Sequence, residues 1–186
     1  MRIGSRVSLG TKRNIACREA RGEIMVLWDD DDWHAPQRIE RQVLPIVRGD
    51  AEITALQNCF VLEVSDRRFW TITPDLHRMM FAGNVTGGTA AFRRQLWEGG
   101  IRYPEVNITE DAAFLNDAMR RGRKLERIEN DSLFVYVRHG SNTWRFSPGS
   151  FLDPRGWRTS EPPRAFPIEL VEAYAAAARG LRSATV

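Results

Sequence analysis

The chain reads as an α/β domain, and three observations carry that reading. A helical pattern over residues 11–20, stopped by Gly22, leads directly into the continuous apolar run 24–28. A second helical pattern follows after Pro36, so a buried run lies between two helices. Further along, β-branched and apolar stretches are separated by turn residues and interleaved with helix signals.

Taken in order, the first helix spans 11–20, and the run 24–28 predicts a buried parallel strand, since strands covered on both faces lose the polar alternation. Pro36 suits a first helical turn, and the helix it opens runs through Ile39, Val43, Leu44 and Val47 to the Gly49 stop. Residues 53–56, 60–64 and 69–72 predict strands, the last two joined by the turn Ser65-Asp66-Arg67. The glycine-rich stretch 83–92 predicts a loop entering a strand, followed by a short helix over 95–98 ended by Gly99-Gly100. Thr109 is placed to cap a helix that starts with Glu110 and Asp111, carries Ala113, Phe114, Ala118 and Met119, and ends at Gly122. Strands over 124–128 and 133–137 close the ordered core. Residues 147–167 hold five of the nine prolines and read as a linker to an amphipathic helix over 168–181. The expected division is therefore a domain over 1–146 and a linker plus helix over 147–186.

With 186 residues, 42% hydrophobic and 27% charged, the chain excludes wholesale disorder, collagen-like sequence and a disulfide scaffold. No run approaches the roughly 18 apolar residues of a membrane span, and the amino terminus lacks a signal-peptide core, so a cytoplasmic protein without a transmembrane segment is expected. Cys17 and Cys59 fit neither a disulfide framework nor a zinc spacing. The net charge of +3 is spread along the chain among nearly as many acids, which argues against a nucleic-acid partner.

The strongest chemical signal is Asp29-Asp30-Asp31-Asp32, set where the strand 24–28 must end. Four adjacent carboxylates repel one another unless a cation neutralises them, and a hard divalent ion such as Mn²⁺ or Mg²⁺ takes oxygen ligands and bridges them to substrate phosphates. A solvated acidic loop is the bland alternative. Lys12-Arg13-Asn14 lies on the helix before that strand; a solvated basic helix face explains it by itself, and the functional alternative is that its cations meet a diphosphate held by the metal. Glu110 and Asp111 sit at a helix start, where the helix dipole alone explains carboxylates; the functional alternative is that one accepts a proton from a substrate hydroxyl. His139-Gly140-Ser141-Asn142 directly follows the strand 133–137. Trp70, Trp97 and Trp144 are read as packing residues, although each is a candidate for stacking on a sugar.

Over residues 10–142 these features, in their order and spacing, resemble a family-2 glycosyltransferase of the GT-A type. The matching segments are Gly10-Thr11-Lys12-Arg13-Asn14, Gly22-Glu23, Asp29 to Trp33 with Pro36 and Arg38, Gly87 to Arg94 with Trp97, the pair Glu110-Asp111, and His139 to Asn142. The resemblance implies a Rossmann-like mixed sheet flanked by helices and transfer of a sugar from a nucleotide-sugar donor to an acceptor hydroxyl with inversion, the acceptor being a glycan, lipid or small molecule. It implies Asp111 as catalytic base, Lys12, Arg13, Asn14, Asp29 and Asp30 at the nucleotide-sugar, Gly87, Gly88, Trp97 and Glu110 on the acceptor side, and Asp29, Asp31 and His139 at Mn²⁺ or Mg²⁺. Only nine residues precede the first matching helix, whereas a βαβ unit needs about 30 or more. The expectation is a domain lacking its first βαβ nucleoside-binding part, with a homodimer or partner chain covering the open side. A catalytically silent binding or scaffold protein is the alternative.

Overall fold

The computed structural model describes residues 6–183. In chain order the elements are α1 (Leu9–Glu19), β1 (Ile24–Val26), β2 (Trp33–His34), α2 (Arg38–Arg48), β3 (Ile53–Gln57), β4 (Phe60–Glu63), β5 (Arg68–Ile72), α3 (Pro74–Met80), β6 (Thr86–Arg93), α4 (Arg94–Glu98), α5 (Glu110–Arg120), β7 (Leu125–Glu129), β8 (Phe134–Arg138), β9 (Trp157–Ser160) and α6 (Leu170–Ser183). They form the expected mixed α/β architecture, with strands in the orders β1-β6-β3-β7 and β2-β8-β4-β5-β9. β3 pairs parallel with β7, and β4, two residues further on, pairs parallel with β8. The same ribbon thus passes from one sheet into the other. Asn58 at φ 63° and Ser132 at φ 58° make the turns, both in the left-handed region that Asn tolerates better than most residues.

Each sheet has its own core. In the first, Cys17 of α1, Leu96 of α4 and Phe114 and Leu115 of α5 pack on Ile53, Ala55 and Phe92. In the second, Trp33, Val61, Leu62, Phe69, Phe134 and Val137 are buried with Leu76 of α3. Both cysteines are free and buried.

Three expectations are corrected. The apolar run after Gly22 is strand for only three residues, and β1 is the outer strand of its sheet, antiparallel to β6. Met25 is its one buried residue, and Trp28 lies outside the strand and is exposed. The apolar positions of α2 do not form its buried face: Ile39, Leu44 and Val47 are exposed, while Arg38, Gln42 and Ile46 are buried. Thr54 explains this, because alternate strand residues face opposite ways. Ile53 and Ala55 face α5, and Thr54 donates to the Gln42 carbonyl at 2.9 Å, so α2 lies on a sheet face that also carries polar groups. Finally, the proline-rich stretch is not a linker. It supplies β9, antiparallel to β5, and Trp157 and Phe166 join the second core together with Val171, Ala175 and Ala178 of α6. The prolines punctuate this segment: Pro154 begins a short 3₁₀ turn that delivers Trp157 to the sheet edge.

α1 starts at Ser8, whose side chain accepts from the Thr11 N–H at 3.1 Å. Its second residue, Gly10, lies so close to the segment before α5 that an added Cβ would sit 1.7 Å from the Pro104 carbonyl oxygen. Backbone cannot give way as a side-chain tip does. Gly10→Ala is therefore expected to destabilise the fold by about 3 kcal/mol, the upper end of overpacking costs, read by urea denaturation.

Candidate active site

The acidic turn 29–32, the first residues of β6 and the start of α5 line one cavity of about 400 Å³. In sequence the acidic turn lies more than 50 residues before the start of β6, and α5 starts 24 residues after it; the antiparallel β1–β6 pair and the packing of α5 on β6 bring them together.

Each aspartate of the turn has its own surroundings. Asp29 receives both terminal nitrogens of Arg13, Nη1 to Oδ1 at 3.2 Å and Nη2 to Oδ2 at 3.3 Å. The same guanidinium donates through Nε to Glu110 Oε1 at 3.0 Å, so Arg13 on α1 ties the turn to the start of α5. Burial works against its charge, but Asp29 and Glu110 prevail and push its pKa up. Asp30 is exposed on the cavity wall. Asp31 Oδ2 accepts from His139 Nε2 at 3.0 Å and from Asn142 Nδ2 at 3.4 Å. Asp32 turns inward: its Oδ1 accepts from the Val137 N–H of β8 at 2.8 Å, and burial holds its carboxyl well above the usual range.

Behind the turn lies a layer that sequence reasoning missed. Arg38 is fully buried and donates to His34 Nδ1 at 2.8 Å, to the Leu27 carbonyl at 2.9 Å and to the Thr89 carbonyl at 2.8 Å. Because Arg38 has only donors, His34 accepts at Nδ1 and keeps its proton on Nε2, which donates to the Asp29 carbonyl at 3.0 Å. Burial and the Arg38 charge lower the His34 pKa to about 4, so the imidazole is neutral at pH 7. The spacing of Arg38 four residues from both His34 and Gln42 was the available signal, with Nε donating to Gln42 Oε1 at 2.7 Å. Arg38→Met would leave the Leu27 carbonyl and His34 Nδ1 without this donor. An expected loss of about 2–3 kcal/mol follows, measured by thermal unfolding.

On the facing wall, Thr109 does not cap α5 with its side chain; it is left-handed at φ 68°. That conformation is strained for a β-branched residue and sits immediately before the two carboxylates. Asp111 Oδ1 accepts from the Ala112 N–H at 2.7 Å. Its Oδ2 leans on β6, where a Cβ on Gly87 would be 2.3 Å away, and a Cβ on Gly88 would come within 2.9 Å of Asp29 Oδ2. The two glycines leave room for both carboxylates. Burial raises the pKa of Glu110 and of Asp111, and neighbouring acids add to the effect.

Among the expected site residues, Arg13, Asp29, Asp30, Asp31, Gly87, Gly88, Glu110 and Asp111 line the cavity together. Lys12 is exposed outside its wall. Asn14 is engaged elsewhere: it donates to the Tyr103 carbonyl at 2.7 Å and accepts from the Trp97 indole at 3.0 Å. Trp97, flanked by Arg102 with its guanidinium carbon 3.7 Å from the ring centroid, is likewise not part of the wall. His139 stands behind Asp31.

Asp29, Asp30, Asp31, Asp32, Glu110 and Asp111 face Arg13, the one cationic side chain among the described residues lining the cavity. Oxygen donors in such excess suit a hard divalent cation. Asp31 and His139 lie together, while Asp29 is turned onto Arg13; among the described residues no three His, Cys, Asp or Glu side chains converge as a ready ligand set.

The glycosyl transferase family 2 profile matches residues 2–103. No curated protein matches the chain. Among solved structures, the fold is similar to S. aureus TarS 1-349 in complex with UDP-GlcNAc, at 17% identity and a TM-score of 0.57 over 77% of this chain and 43% of that one. A second crystal structure of S. aureus TarS 1-349 aligns at 14% identity and a TM-score of 0.45 over 70% of this chain and 40% of that one. The chain spans less than half the length of these structures. Among the described residues no helix is long and apolar enough to cross a membrane.

Proposed function

Because the chain belongs to glycosyl transferase family 2, we propose that it moves a sugar from a nucleotide-sugar to an acceptor hydroxyl, with inversion and with Mn²⁺ or Mg²⁺. The observation that carries this reading is the shared cavity, with the acidic turn on one wall and Asp111 on another. A divalent ion there would neutralise the charge that develops on the departing diphosphate. Asp31 with His139 would hold it, joined by Asp29 once Arg13 releases it, and substrate phosphate oxygens would complete the ligand set. Arg13, freed from Asp29, is placed to pair with a phosphate, and Asp30 faces the same space.

Asp111 is the proton acceptor. Its pKa, raised by burial, makes it a better base than an exposed aspartate while leaving it ionised above that raised value. Glu110 stays bound to Arg13 and positions it. Gly87 and Gly88 keep the floor open to the acceptor side.

Calorimetric titration of UDP with and without Mn²⁺, followed by UDP-GlcNAc turnover, tests the reading. The expected result is UDP binding that requires the metal. Binding of neither UDP nor any other nucleoside diphosphate in the presence of Mn²⁺ would leave the catalytically silent binding protein as the better description.

A further inference from the structure

One wall of the cavity is unlike the rest. Phe81, Tyr136 and Trp144 line it, with Met80 beside them, and no carboxylate or cation belongs to that group. Trp144 is half-buried and its ring is fixed from behind: Phe146 lies 4.7 Å away between centroids, Tyr136 stacks at 6.5 Å and Phe81 meets it edge-on at 5.8 Å. Its carbonyl accepts from Arg138 Nη1 at 2.7 Å, which anchors the backbone too. Packing therefore explains the orientation of the indole but not its open side.

The polar tips of the wall are also free. Trp97 and Trp157 donate their indole N–H groups to Asn14 and to the Phe151 carbonyl. Neither the Trp144 N–H nor the Tyr136 hydroxyl has a hydrogen-bond partner among the described residues. An aromatic face with unpaired donors at its rim matches a ligand that is apolar on one face and ringed by hydroxyls.

We infer that Phe81, Tyr136 and Trp144 form the acceptor subsite, and that the acceptor is a neutral saccharide, a pyranose ring stacking on Trp144. This rests on the transferase reading above, since Asp111 shares the cavity and would receive the proton of the incoming hydroxyl. Charge selects against the other acceptor chemistries. A phosphorylated polyol or lipid phosphate would find no cation on a wall made of Met80, Phe81, Tyr136 and Trp144, since Arg13, the one cationic side chain among the described residues lining the cavity, is given to the donor phosphate in the reading above. A plain acyl chain would leave the rim donors unpaired.

Saturation-transfer NMR on the full chain tests this with cellobiose, maltose and methyl β-N-acetylglucosaminide as neutral probes and ribitol 5-phosphate as the anionic one. At least one neutral saccharide is expected to bind, with ribitol phosphate weaker. Trp144→Ala should lose about tenfold in affinity while Trp144→Phe keeps most of it, as expected of a stacking contact. Where Trp144→Ala does not fold, Tyr136→Phe, which removes only the hydroxyl, must weaken binding about threefold or more. Absence of any neutral binding, tighter binding of ribitol phosphate, or unchanged affinity in the folded variants overturns the inference. A separate titration of Mn²⁺ with UDP and other nucleoside diphosphates keeps the two proposals apart: saccharide binding with no nucleoside diphosphate bound sinks the transferase reading and leaves a saccharide-binding wall that is not an acceptor subsite, and nucleotide binding without saccharide binding sinks only the subsite.

Discussion

Asp111→Asn is expected to slow sugar transfer by about 10²–10⁴-fold, the usual contribution of a positioned general base. The amide keeps the shape and the acceptor role toward the Ala112 N–H but takes no proton. Gly87→Ala should approach the same loss by another route, because its Cβ would drive Asp111 Oδ2 from its place. The pH dependence is a further check. A base must be ionised to act, so the rate rises as pH climbs through its pKa, and burial sets that rise above 3.8. The acid limb of the wild-type profile should therefore lie above the ordinary aspartate range and be missing from the residual activity of Asp111→Asn. Equal rates in the two proteins, or an unshifted limb retained in the variant, would exclude Asp111 as the base.

The second large effect concerns the metal. Asp31→Asn is expected to weaken Mn²⁺-dependent UDP binding by about 10–100-fold, the range seen when a metal site loses a ligand's support. A thermal shift is expected when Mn²⁺ and UDP are added together to the wild type, and it should be smaller in Asp31→Asn. His139→Ala should act in the same direction, since its Nε2 is the nearest donor to Asp31 Oδ2. Without metal, removing one of four adjacent like charges relieves repulsion, so apo Asp31→Asn should be no less stable than the wild type. A variant that is less stable throughout yet keeps the full shift would show that Asp31 holds the turn together and binds no ion.

Much of this architecture was legible. The β4–β5 hairpin around Ser65-Asp66-Arg67 and α5 beginning at Glu110 follow from short-range rules, and the structure contains both. What escaped depends on partners far away in the chain. A continuous apolar run reads the same whether its strand lies centrally or at an edge, and only pairing with β6 shows that β1 is an outer, antiparallel strand. For α2, hydropathy favours Ile39 and Val47 over Arg38 and Gln42, yet the buried guanidinium finds carbonyls and an imidazole that no local pattern announces. Likewise, proline density correctly marks irregular chain at 147–167 but says nothing about Trp157 reaching the edge of β5.

At the site, the motifs located the acidic residues and not their division of labour. Four identical side chains in a row offer no internal contrast; Arg13, His139 and the Val137 N–H supply it. The neighbours of Asn14 in sequence point it toward the nucleotide, whereas its amide is spent on Tyr103 and Trp97.

The attachment of Asp32 and Asp31 to Val137, His139 and Asn142 has a consequence for biosynthesis. A ribosome that has released the first 130 residues has made the acidic turn, Arg13 and Asp111, but the amide and imidazole that orient the inner pair are still inside the exit tunnel. Nascent chains stalled before β8 should thus carry the acids in an unclamped state, and competence to grip a cation should switch on only after that strand emerges.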